Sequence, residues 1–316
     1  MSARRAVGID VGGTKIAAAR ITMEGAVEAT TVAPTPARDR DQALAAIEAA
    51  ASAVIDDDVV AIGVGMAGLV DVRSGVLLSA PNLVWRNLSV SEGLGMKFEL
   101  PVTVDNDATA AAWAESRLGA SRGYEDSLFV GVGTGIGGGI VAGGALLRGA
   151  HGLAGEIGHI IVEPGGPLCG CGNRGCWEQV AGGSAIARAG RRAVTDEPGS
   201  TIARLAGGDP RRATGELVTE AARDGDAAAL VIVTTVARRI GEGIAGLVNV
   251  LDPEIVVVGG GVGESEDLLM GPLRDAYLAS VEGVDVRPEV AIVPALLGND
   301  AGAIGAALLA LEAVPA

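Results

Sequence analysis

The sequence of 316 residues predicts an α/β fold of two domains with a cleft between them. Short β-type runs alternate with helical patterns along the whole chain, which is typical of α/β proteins. The length is about twice that of an ordinary domain, so each half can bury a core of its own. The second half repeats the strand and glycine-turn pattern that opens the first, and no linker or low-complexity tract divides the chain. We therefore expect two domains that share a hinge.

The predicted elements follow in order. The first half opens with a meander of β-type runs at residues 6–10, 16–22 and 27–32, then a helical pattern at 39–55, strands at 59–65 and 102–104, and a helix at 108–118. In the second half, strands are predicted at 127–132, 140–147, 255–258 and 290–293, with a glycine turn over 133–139. Helices are predicted at 184–194, 215–223, 227–251 and 266–281, and from residue 300. Val7-Gly8-Ile9-Asp10-Val11-Gly12 is similar to Val130-Gly131-Val132-Gly133-Thr134-Gly135, which suggests an internal duplication.

Composition and charge exclude several classes of function. Lys and Arg number 24 against 39 Asp and Glu, a net charge of −15 without a basic stripe, which argues against nucleic acid or an anionic membrane as partner. The apolar segment 227–251 is interrupted by Arg238, Arg239 and Glu242, so we expect a buried helix rather than a membrane span. No signal-peptide pattern precedes the first strand. Three cysteines without such a signal indicate a reducing compartment, and we expect the cytoplasm.

Three glycine turns are candidates for binding phosphate or adenosine. Asp10-Val11-Gly12-Gly13-Thr14-Lys15 lies between two strands, where its amides could contact phosphate oxygens and Asp10 could hold Mg²⁺ through water. The turn that begins with Gly133-Thr134-Gly135 has G-x-G-x-x-G spacing, but a strand follows where a dinucleotide fold needs a helix. In the first turn, Gly8 and Gly13 have the Walker spacing, but Thr14-Lys15 follows where that motif needs Lys and then Ser or Thr. Each turn, including Gly259-Gly260-Gly261, could alone be an ordinary connection. Together they predict a nucleotide cleft lined from both halves.

Asp105-Asn106-Asp107 lies between a short strand and a helix, a place where functional loops are common. One carboxylate could be only a helix N-cap, since Asp is favoured there. A cap does not require Asp-Asn-Asp, however. In phosphoryl transfer, a carboxylate orients the acceptor hydroxyl and takes its proton late. Asp107 is our candidate for this general base.

A metal site is predicted from the cysteines. Every cysteine and one of the two histidines fall in a short stretch, as His159, Cys169, Cys171 and Cys176. Four such ligands with no open position describe a closed, tetrahedral, structural zinc site. The alternative, thiols buried as small apolar groups, is disfavoured because glycines between the cysteines make the segment a loop. Glu156 and Glu178 flank the set, so zinc would bring together two carboxylates able to bind sugar hydroxyls; without the metal, both could be solvated surface charges.

These motifs are similar to those of the ROK family of bacterial sugar kinases, transcriptional repressors and related open reading frames. The resemblance covers nearly the whole chain, through segments 10–15, 105–107, 133–139, 155–159 and 169–178, and the cysteine-rich motif is highly specific. It implies the two-domain actin-like, ribonuclease H-like, hexokinase-type ATPase fold. A smaller N-terminal domain, residues 1–106 plus 300–316, would be closed by the C-terminal helix, and residues 107–299 would form a larger domain with the zinc loop. ATP and Mg²⁺ would occupy the interdomain cleft.

Motif by motif, the resemblance also implies residue roles. Asp107 would be the base on the 6-hydroxyl of the sugar. The sugar-binding residues would be Asn106, Asp107, Glu156, His159 and Glu178, with His159 serving zinc through one ring nitrogen and sugar through the other. The residues facing ATP would be Asp10, Gly12, Gly13, Thr14, Lys15, Gly133, Thr134 and Gly135 at the phosphates and Gly259, Gly260 and Gly261 at the adenosine.

The resemblance further narrows the expected activity. Repressors of the family carry a helix-turn-helix domain before the first strand, whereas that strand here is predicted from about residue 6. Among the kinases, the segment Pro81-Asn82-Leu83-Val84-Trp85 and the length are most similar to glucokinase. We therefore expect an ATP-dependent glucokinase, with glucose and ATP as substrates and a homodimer or homotetramer as its assembly. N-acetylmannosamine or fructose as acceptor, polyphosphate as donor, and a non-catalytic sugar-responsive binding protein stay open as alternatives.

Overall fold

The computed structural model describes residues 4–80, 83, 85–261 and 266–315. The first half forms β1 (Arg5–Val11), β2 (Lys15–Thr22), β3 (Val27–Pro34), α1 (Arg40–Val54), β4 (Val59–Met66), β5 (Leu69–Asp71), β6 (Val76–Ser79), β7 (Arg86–Ser89), α2 (Val90–Phe98), β8 (Val102–Asn106) and α3 (Asp107–Leu118). The second half forms β9 (Ser127–Val132), β10 (Ile136–Ala142), β11 (Ala145–Leu146), α4 (Trp177–Ala181), α5 (Gly183–Asp196), α6 (Thr201–Leu205), α7 (Gly215–Arg223), α8 (Ala227–Leu251), β12 (Ile255–Gly259), α9 (Glu266–Ser280), β13 (Ala291–Pro294) and α10 (Ala301–Ala313).

The two halves contain sheets of the same topology. The first sheet has the order β3-β2-β1-β4-β8 and the second β11-β10-β9-β12-β13. In both, the first three strands pair antiparallel in sequence, the fourth pairs parallel with the middle strand, and the fifth pairs parallel with the fourth. The glycine turns after β1 and β9 therefore occupy equivalent places, as the internal duplication predicts. A separate small sheet, β5-β6-β7, belongs to the first half.

Two helices, α3 and α10, lie between the sheets. Their side chains share one core with residues of both, for example Ala61 of β4 and Val257 of β12. Small residues allow this close packing: a Cβ on Gly8 of β1 or on Gly305 of α10 would collide with the backbone of the element opposite. The buried carboxylate of Glu115 in α3 accepts hydrogen bonds from the backbone of Leu296 and Leu297, which ties α3 to the segment before α10.

The outer faces of the two sheets are covered by separate cores. Helix α1 packs on the first sheet, with Ile47 among its buried residues. Helices α5, α7, α8 and α9 pack on the second. Helix α8 begins after Asp226, whose side chain accepts the amide of Ala229 as an N-cap, and it matches the predicted bounds 227–251. No helix in the described residues is long and apolar enough to span a membrane.

Most sequence predictions of the elements are confirmed to within a few residues, and two are corrected. The turn predicted over 133–139 contains only Gly133, Thr134 and Gly135, because β10 already begins at Ile136. The strand predicted over 140–147 is two strands, the end of β10 and β11. The strands β5, β6 and β7 and the helices α2, α4 and α6 were not predicted. Of the segment that resembles glucokinase, Pro81, Asn82 and Val84 lie outside the described residues.

Candidate active site

Two carboxylates lie at the same edge of the first sheet. Asp10 of β1 pairs in register with Gly65 of β4, which pairs with Asp105 of β8, so the carboxyl ends of three parallel strands meet there. Asp107 follows directly, at the start of α3. Burial and the nearby negative charge of Asp107 raise the pKa of Asp10 to about 7, and the positive charge of Lys15 opposes this shift. Asp10 and Asp107 are therefore close enough to repel each other.

The hydrogen bonds at the start of α3 separate the capping residue from the candidate base. Asn106 is the N-cap: its Oδ1 accepts the Thr109 amide at 3.0 Å, and its Nδ2 donates to the Gly68 carbonyl at 3.2 Å. The carboxylate of Asp107 accepts the amide of Ala108 at 2.8 Å. Burial raises the pKa of Asp107 above the ordinary aspartate value, and that amide partly offsets the shift. A raised pKa makes a carboxylate a stronger proton acceptor.

Glu156, His159 and Glu178 form a cluster. His159 Nε2 is 3.7 Å from Glu156 Oε2, and His159 Nδ1 is 3.9 Å from Glu178 Oε1. Burial raises the pKa of Glu156, the charges of Asp107 and Glu178 raise it further, and His159 lowers it. The structure thus brings together, within electrostatic reach of one another, the candidate base and three of the predicted sugar-binding residues.

The four predicted metal ligands also converge. The ligand atoms of His159, Cys169, Cys171 and Cys176 all lie within 4.8 Å of one another. The Sγ atoms of Cys171 and Cys176 are 3.6 Å apart, and Cys169 Sγ is 3.6 Å from His159 Nδ1. Zinc bonds of about 2.0–2.3 Å place two tetrahedral ligands roughly 3.6–3.8 Å apart. These residues therefore fit a tetrahedral zinc ion in both chemistry and spacing.

The loop that carries the four candidate ligands, from His159 to Cys176 and here called the metal loop, is held by two backbone bridges and by the buried Trp177 that follows it. Isolated bridges pair Ile161 with Cys176 and Leu168 with Arg174, which folds the loop back on itself. Trp177, fully buried at the start of α4, donates its indole N–H to the carbonyl of Arg239 in α8 at 2.9 Å. The loop therefore has its own packing, and zinc would fix the side chains that project from it.

The second glycine hairpin is joined to this loop. The amides of Gly183 and Ser184, at the start of α5, donate to the carbonyls of Gly133 and Thr134 at 2.8 and 3.0 Å. The backbone of Gly135 lies so close to Glu178 that a Cβ there would collide with its carboxylate. Metal loop, α4, α5 and hairpin consequently form one continuous unit.

The remaining nucleotide candidates lie at both sheet edges. In the first hairpin, the Gly12 amide donates to the Lys15 carbonyl at 3.0 Å, and Thr35 fixes the turn by donating its hydroxyl to the Gly12 carbonyl at 2.8 Å. Gly13 and Gly133 both face open space, and Thr14 and Lys15 are exposed. Gly260, with φ +86°, lies against the carbonyl of Val132, so the third glycine turn is adjacent to the second. No atom of the described residues lies within 4 Å of the place that a Cβ on Gly261 would take.

One residue of the site was missed by sequence reasoning. Arg148 donates from Nε and from its terminal nitrogen to Oδ2 of Asp105, at 2.9 and 2.8 Å. Asp105 is 3% exposed and the Arg148 side chain 33% exposed, so a buried carboxylate at the base segment pairs with a half-buried guanidinium. No sequence pattern marks Arg148, because its partner lies 43 residues away.

Comparison with known proteins identifies the family of this chain. The model of the ROK family matches residues 6–313, and the chain belongs to that family. Its fold is the mixed α/β, hexokinase-type fold of the family, as the sequence predicts.

Particular relatives narrow the comparison. The chain is 41% identical over 315 residues to a glucokinase of Streptomyces coelicolor, with 98% of each chain covered. It is 36% identical over 303 residues to an N-acetylmannosamine kinase of Escherichia fergusonii, with 96% and 97% covered. A solved ROK family glucokinase from Streptomyces griseus, in complex with glucose and AMPPNP, is 40% identical with a TM-score of 0.91 and covers 98% of this chain and 99% of its own.

Proposed function

We propose that this protein transfers the terminal phosphate of ATP to the 6-hydroxyl of glucose. The observation that carries the proposal is the position of Asp107 at the start of α3, where its charge acts on both Asp10 and Glu156. A base that faces both a metal-binding carboxylate and a polar acceptor cluster suits phosphoryl transfer. The 41% identity to a glucokinase and the likeness to a glucokinase solved with glucose and AMPPNP support the same substrates.

The proposed acceptor site comprises Asn106, Asp107, Glu156, His159 and Glu178. Carboxylate oxygens, an amide and a ring nitrogen are suited to the several hydroxyls of a hexose. Asp107 accepts the proton of the 6-hydroxyl as the bond from that oxygen to the γ-phosphorus forms and the bond to the β–γ bridging oxygen breaks. ADP leaves, and glucose 6-phosphate remains. Because the transition state is loose, Asp107 acts mainly by orienting the hydroxyl and takes the proton late.

The proposed donor site is formed by the glycine turns. The turns at Gly12 to Lys15 and Gly133 to Gly135 would offer backbone amides and the Lys15 ammonium group to the phosphates, and Gly259, Gly260 and Gly261 would contact the adenosine. Asp10 would hold Mg²⁺, which when bound supplies charge neutralisation for the phosphate oxygens. The closeness of Asp10 and Asp107 suits this, because a divalent cation offsets their repulsion.

Zinc has a structural role in this proposal. His159, Cys169, Cys171 and Cys176 would complete its coordination and leave no open position for substrate. Nδ1 of His159 faces Cys169, whereas Nε2 faces Glu156. The same ring could therefore bind zinc through Nδ1 and a sugar hydroxyl through Nε2. Zinc would thus orient the acceptor cluster without entering the reaction.

We further propose the domain division expected from the sequence, residues 1–106 plus 300–316 against 107–299. The segments near residues 106 and 300 lie where α3 and α10 begin between the sheets, so a hinge there would change the cleft width. Sugar-induced closure would exclude water and limit ATP hydrolysis. A cytoplasmic location, suited to the free thiols of the zinc site, and a homodimer or homotetramer stay predictions.

The test is a substrate panel with purified protein. Glucose, N-acetylmannosamine and fructose are each supplied with ATP and Mg²⁺, and glucose also with polyphosphate, while ADP and sugar phosphate are measured. We expect the highest kcat/KM with glucose and ATP. Higher kcat/KM with N-acetylmannosamine would reassign the acceptor, a preference for polyphosphate would reassign the donor, and binding of sugar without phosphorylation would favour a sugar-responsive binding protein.

A further inference from the structure

The Asp105–Arg148 ion pair joins the two segments that carry the proposed acceptor site. Asp105 is the next-to-last residue of β8 in the first sheet, two residues before Asp107. Arg148 follows β11, the edge strand of the second sheet, and lies in the loop that leads to Glu156. Both Arg148 donors converge on one carboxylate oxygen, Oδ2, at 2.8 and 2.9 Å.

On the base side, Asp105 is rigidly held. Its side chain is 4% exposed, and its other oxygen, Oδ1, accepts the amide of Asn106 at 2.9 Å. Asn106 in turn caps α3 and donates to Gly68. A displacement of the Asp105 carboxylate would therefore be passed to the residue that fixes the first turn of α3, where Asp107 lies.

On the acceptor side, Arg148 closes the loop before Glu156. Its carbonyl accepts the amide of Ala154 at 3.1 Å, so the ends of the segment 148–154 are held together. Gly155 follows with φ +94° and lies against the Gly138 carbonyl of β10, which places Glu156 directly after a fixed point. The loop also contacts the first half through the Ala150 carbonyl, which accepts from Arg73 at 3.4 Å, a weak bond. The ion pair, with two charge-assisted hydrogen bonds to the buried Asp105 carboxylate, is the stronger connection.

We propose that Asp105 and Arg148 form a positioning pair that sets the distance between the base segment, at Asp107, and the acceptor segment, at Glu156 and His159. The inference rests on the proposed function of this site. Neither residue need touch the sugar: the pair acts through the backbone of Asn106 on one side and of Ala154 on the other. Because a misplacement of about 1 Å can cost roughly a hundredfold in rate, a connection of this kind matters for turnover.

A double-mutant cycle tests the pair. Arg148→Met, Asp105→Asn, the double variant and Arg148→Lys are compared with wild type in kcat, in KM for glucose and in KM for ATP. We expect each single neutral variant to raise the glucose KM and to lower kcat, each by about tenfold or more, while the ATP KM changes less than about threefold. The double variant should be no worse than the poorer single variant, because one connection is lost in all three. Arg148→Lys, which keeps the charge, should recover part of the loss.

Matched controls separate positioning from simple destabilisation. Arg117→Met removes a guanidinium that also places two nitrogens on one carboxylate oxygen, Oε1 of Glu312, but on the surface away from the site. It should leave the kinetic constants within about twofold of wild type. Thermal unfolding of every variant and calorimetric titration with glucose show whether lost activity follows lost folding.

Three outcomes would overturn the pair. Additive losses in the two single variants would mean that they act independently. A rise in ATP KM confined to Arg148→Met would mean that Arg148 binds phosphate directly. An unchanged glucose KM in folded Arg148→Met protein would mean that the ion pair has no effect on the acceptor site. Failure of the proposed function is distinguishable from all three, because wild-type protein would then phosphorylate no sugar of the panel.

Discussion

The two halves of the molecule share a sheet topology but carry different chemistry at the same edge. The next-to-last residue of β1 is Asp10, whereas the next-to-last residue of β9 is Gly131. Asp105 and Asp107 add two carboxylates to the first edge, while in the second Gly259 ends β12 and Gly260 and Gly261 follow it. Duplication therefore supplies two similar walls, of which one concentrates negative charge and the other exposes backbone amides. A phosphoryl-transfer site needs both, a base with a metal site and a surface that accepts phosphate.

The starts of α3 and α10 sharpen the contrast, because both contain Asn-Asp-Ala. In the first half, Asn106 caps the helix, and the charge of Asp107 raises the pKa of Glu156 in the acceptor cluster. In the second, a 3₁₀ turn, Gly298–Asp300, precedes the helix; Asp300 is exposed and makes no side-chain cap hydrogen bond. The same three residues thus take different roles, according to whether a strand end or a tight turn presents them.

The largest expected effect comes from exchanging the base carboxylate. Asp107→Asn keeps the shape of the side chain but removes the proton acceptor, so kcat should fall by about 10²–10⁴-fold. Binding of glucose, measured by calorimetry, should stay within about tenfold of wild type, since the amide can still hydrogen-bond a hydroxyl.

Asp300→Asn is the matched control for the duplicated position. An exposed carboxylate without a capping bond should tolerate the change, with kcat altered by less than about threefold. Equal losses of kcat in the two variants would contradict the different roles given to Asp107 and Asp300. A near-normal kcat of Asp107→Asn would refute the assignment of the base.

The metal loop provides the second test, because it supports the acceptor cluster and the second hairpin together. Cys171 is the exposed ligand, so Cys171→Ser removes a metal ligand with little change in packing. We expect purified protein to lose its zinc, to unfold roughly 5 °C or more lower, and to show a raised KM for both glucose and ATP. Metal analysis and thermal scans provide readouts besides activity.

Arg174→Ala, in the same loop, is the control for that change. Its side chain is exposed and its contact to the Gly166 carbonyl, at 3.4 Å, is weak, so zinc content should stay at one ion per chain. Wild-type protein without zinc would contradict the metal assignment. An unchanged KM for ATP in Cys171→Ser would show that the metal loop does not support the glycine hairpin at Gly133 to Gly135.

The sequence predicts the long elements of this fold well and the short ones poorly. Helix α8 was predicted to the residue because a capping Asp precedes a sustained apolar stripe. Strands β5, β6 and β7 have three or four residues each, too few to show alternation. Gly137, Gly138 and Gly139 were predicted as turn but belong to β10, where Gly139 makes room for α3: a Cβ there would collide with the Ala112 side chain.

For the site, local motifs predicted the candidate residues but not the contacts between them. The histidine and cysteines are recognisable because their types and spacing are rare together. The ion pair of Asp105 with Arg148 and the contact of Gly135 with Glu178 depend on how distant segments pack, which a pattern in one sequence does not contain. The N-cap was also ambiguous from sequence, since Asp105, Asn106 and Asp107 all suit that position.

Substitutions in the glycine hairpin at Gly133 to Gly135 should produce smaller effects, and these should divide between the KM for glucose and the KM for ATP. A Cβ at Gly135 would displace the Glu178 carboxylate, so Gly135→Ala should raise the KM for glucose by roughly tenfold. Gly133→Ala meets no protein atom within 4 Å and faces the proposed phosphates, so it should raise only the KM for ATP. Initial-rate kinetics with each substrate varied in turn measure both constants. If both variants changed the same KM, the prediction that Gly135 supports the acceptor site and Gly133 the donor site would be wrong.

The smallest expected effect is the contribution of Asp10 to the pH dependence of the free energy of unfolding. Because the pKa of Asp10 is raised to about 7, above its unfolded value, the native state holds this proton more tightly than the unfolded chain. Its stabilising contribution is complete below the unfolded pKa and is lost as pH rises through about 7. In magnesium-free buffer, the free energy of unfolding of wild type minus that of Asp10→Asn should therefore fall between about pH 5 and pH 7, by at most about 1.4 kcal/mol per pH unit. Denaturant unfolding of both proteins across this range measures it. Mg²⁺ should lessen the slope, because a bound cation favours the ionised carboxylate, and a difference independent of pH would show that Asp10 is ionised throughout.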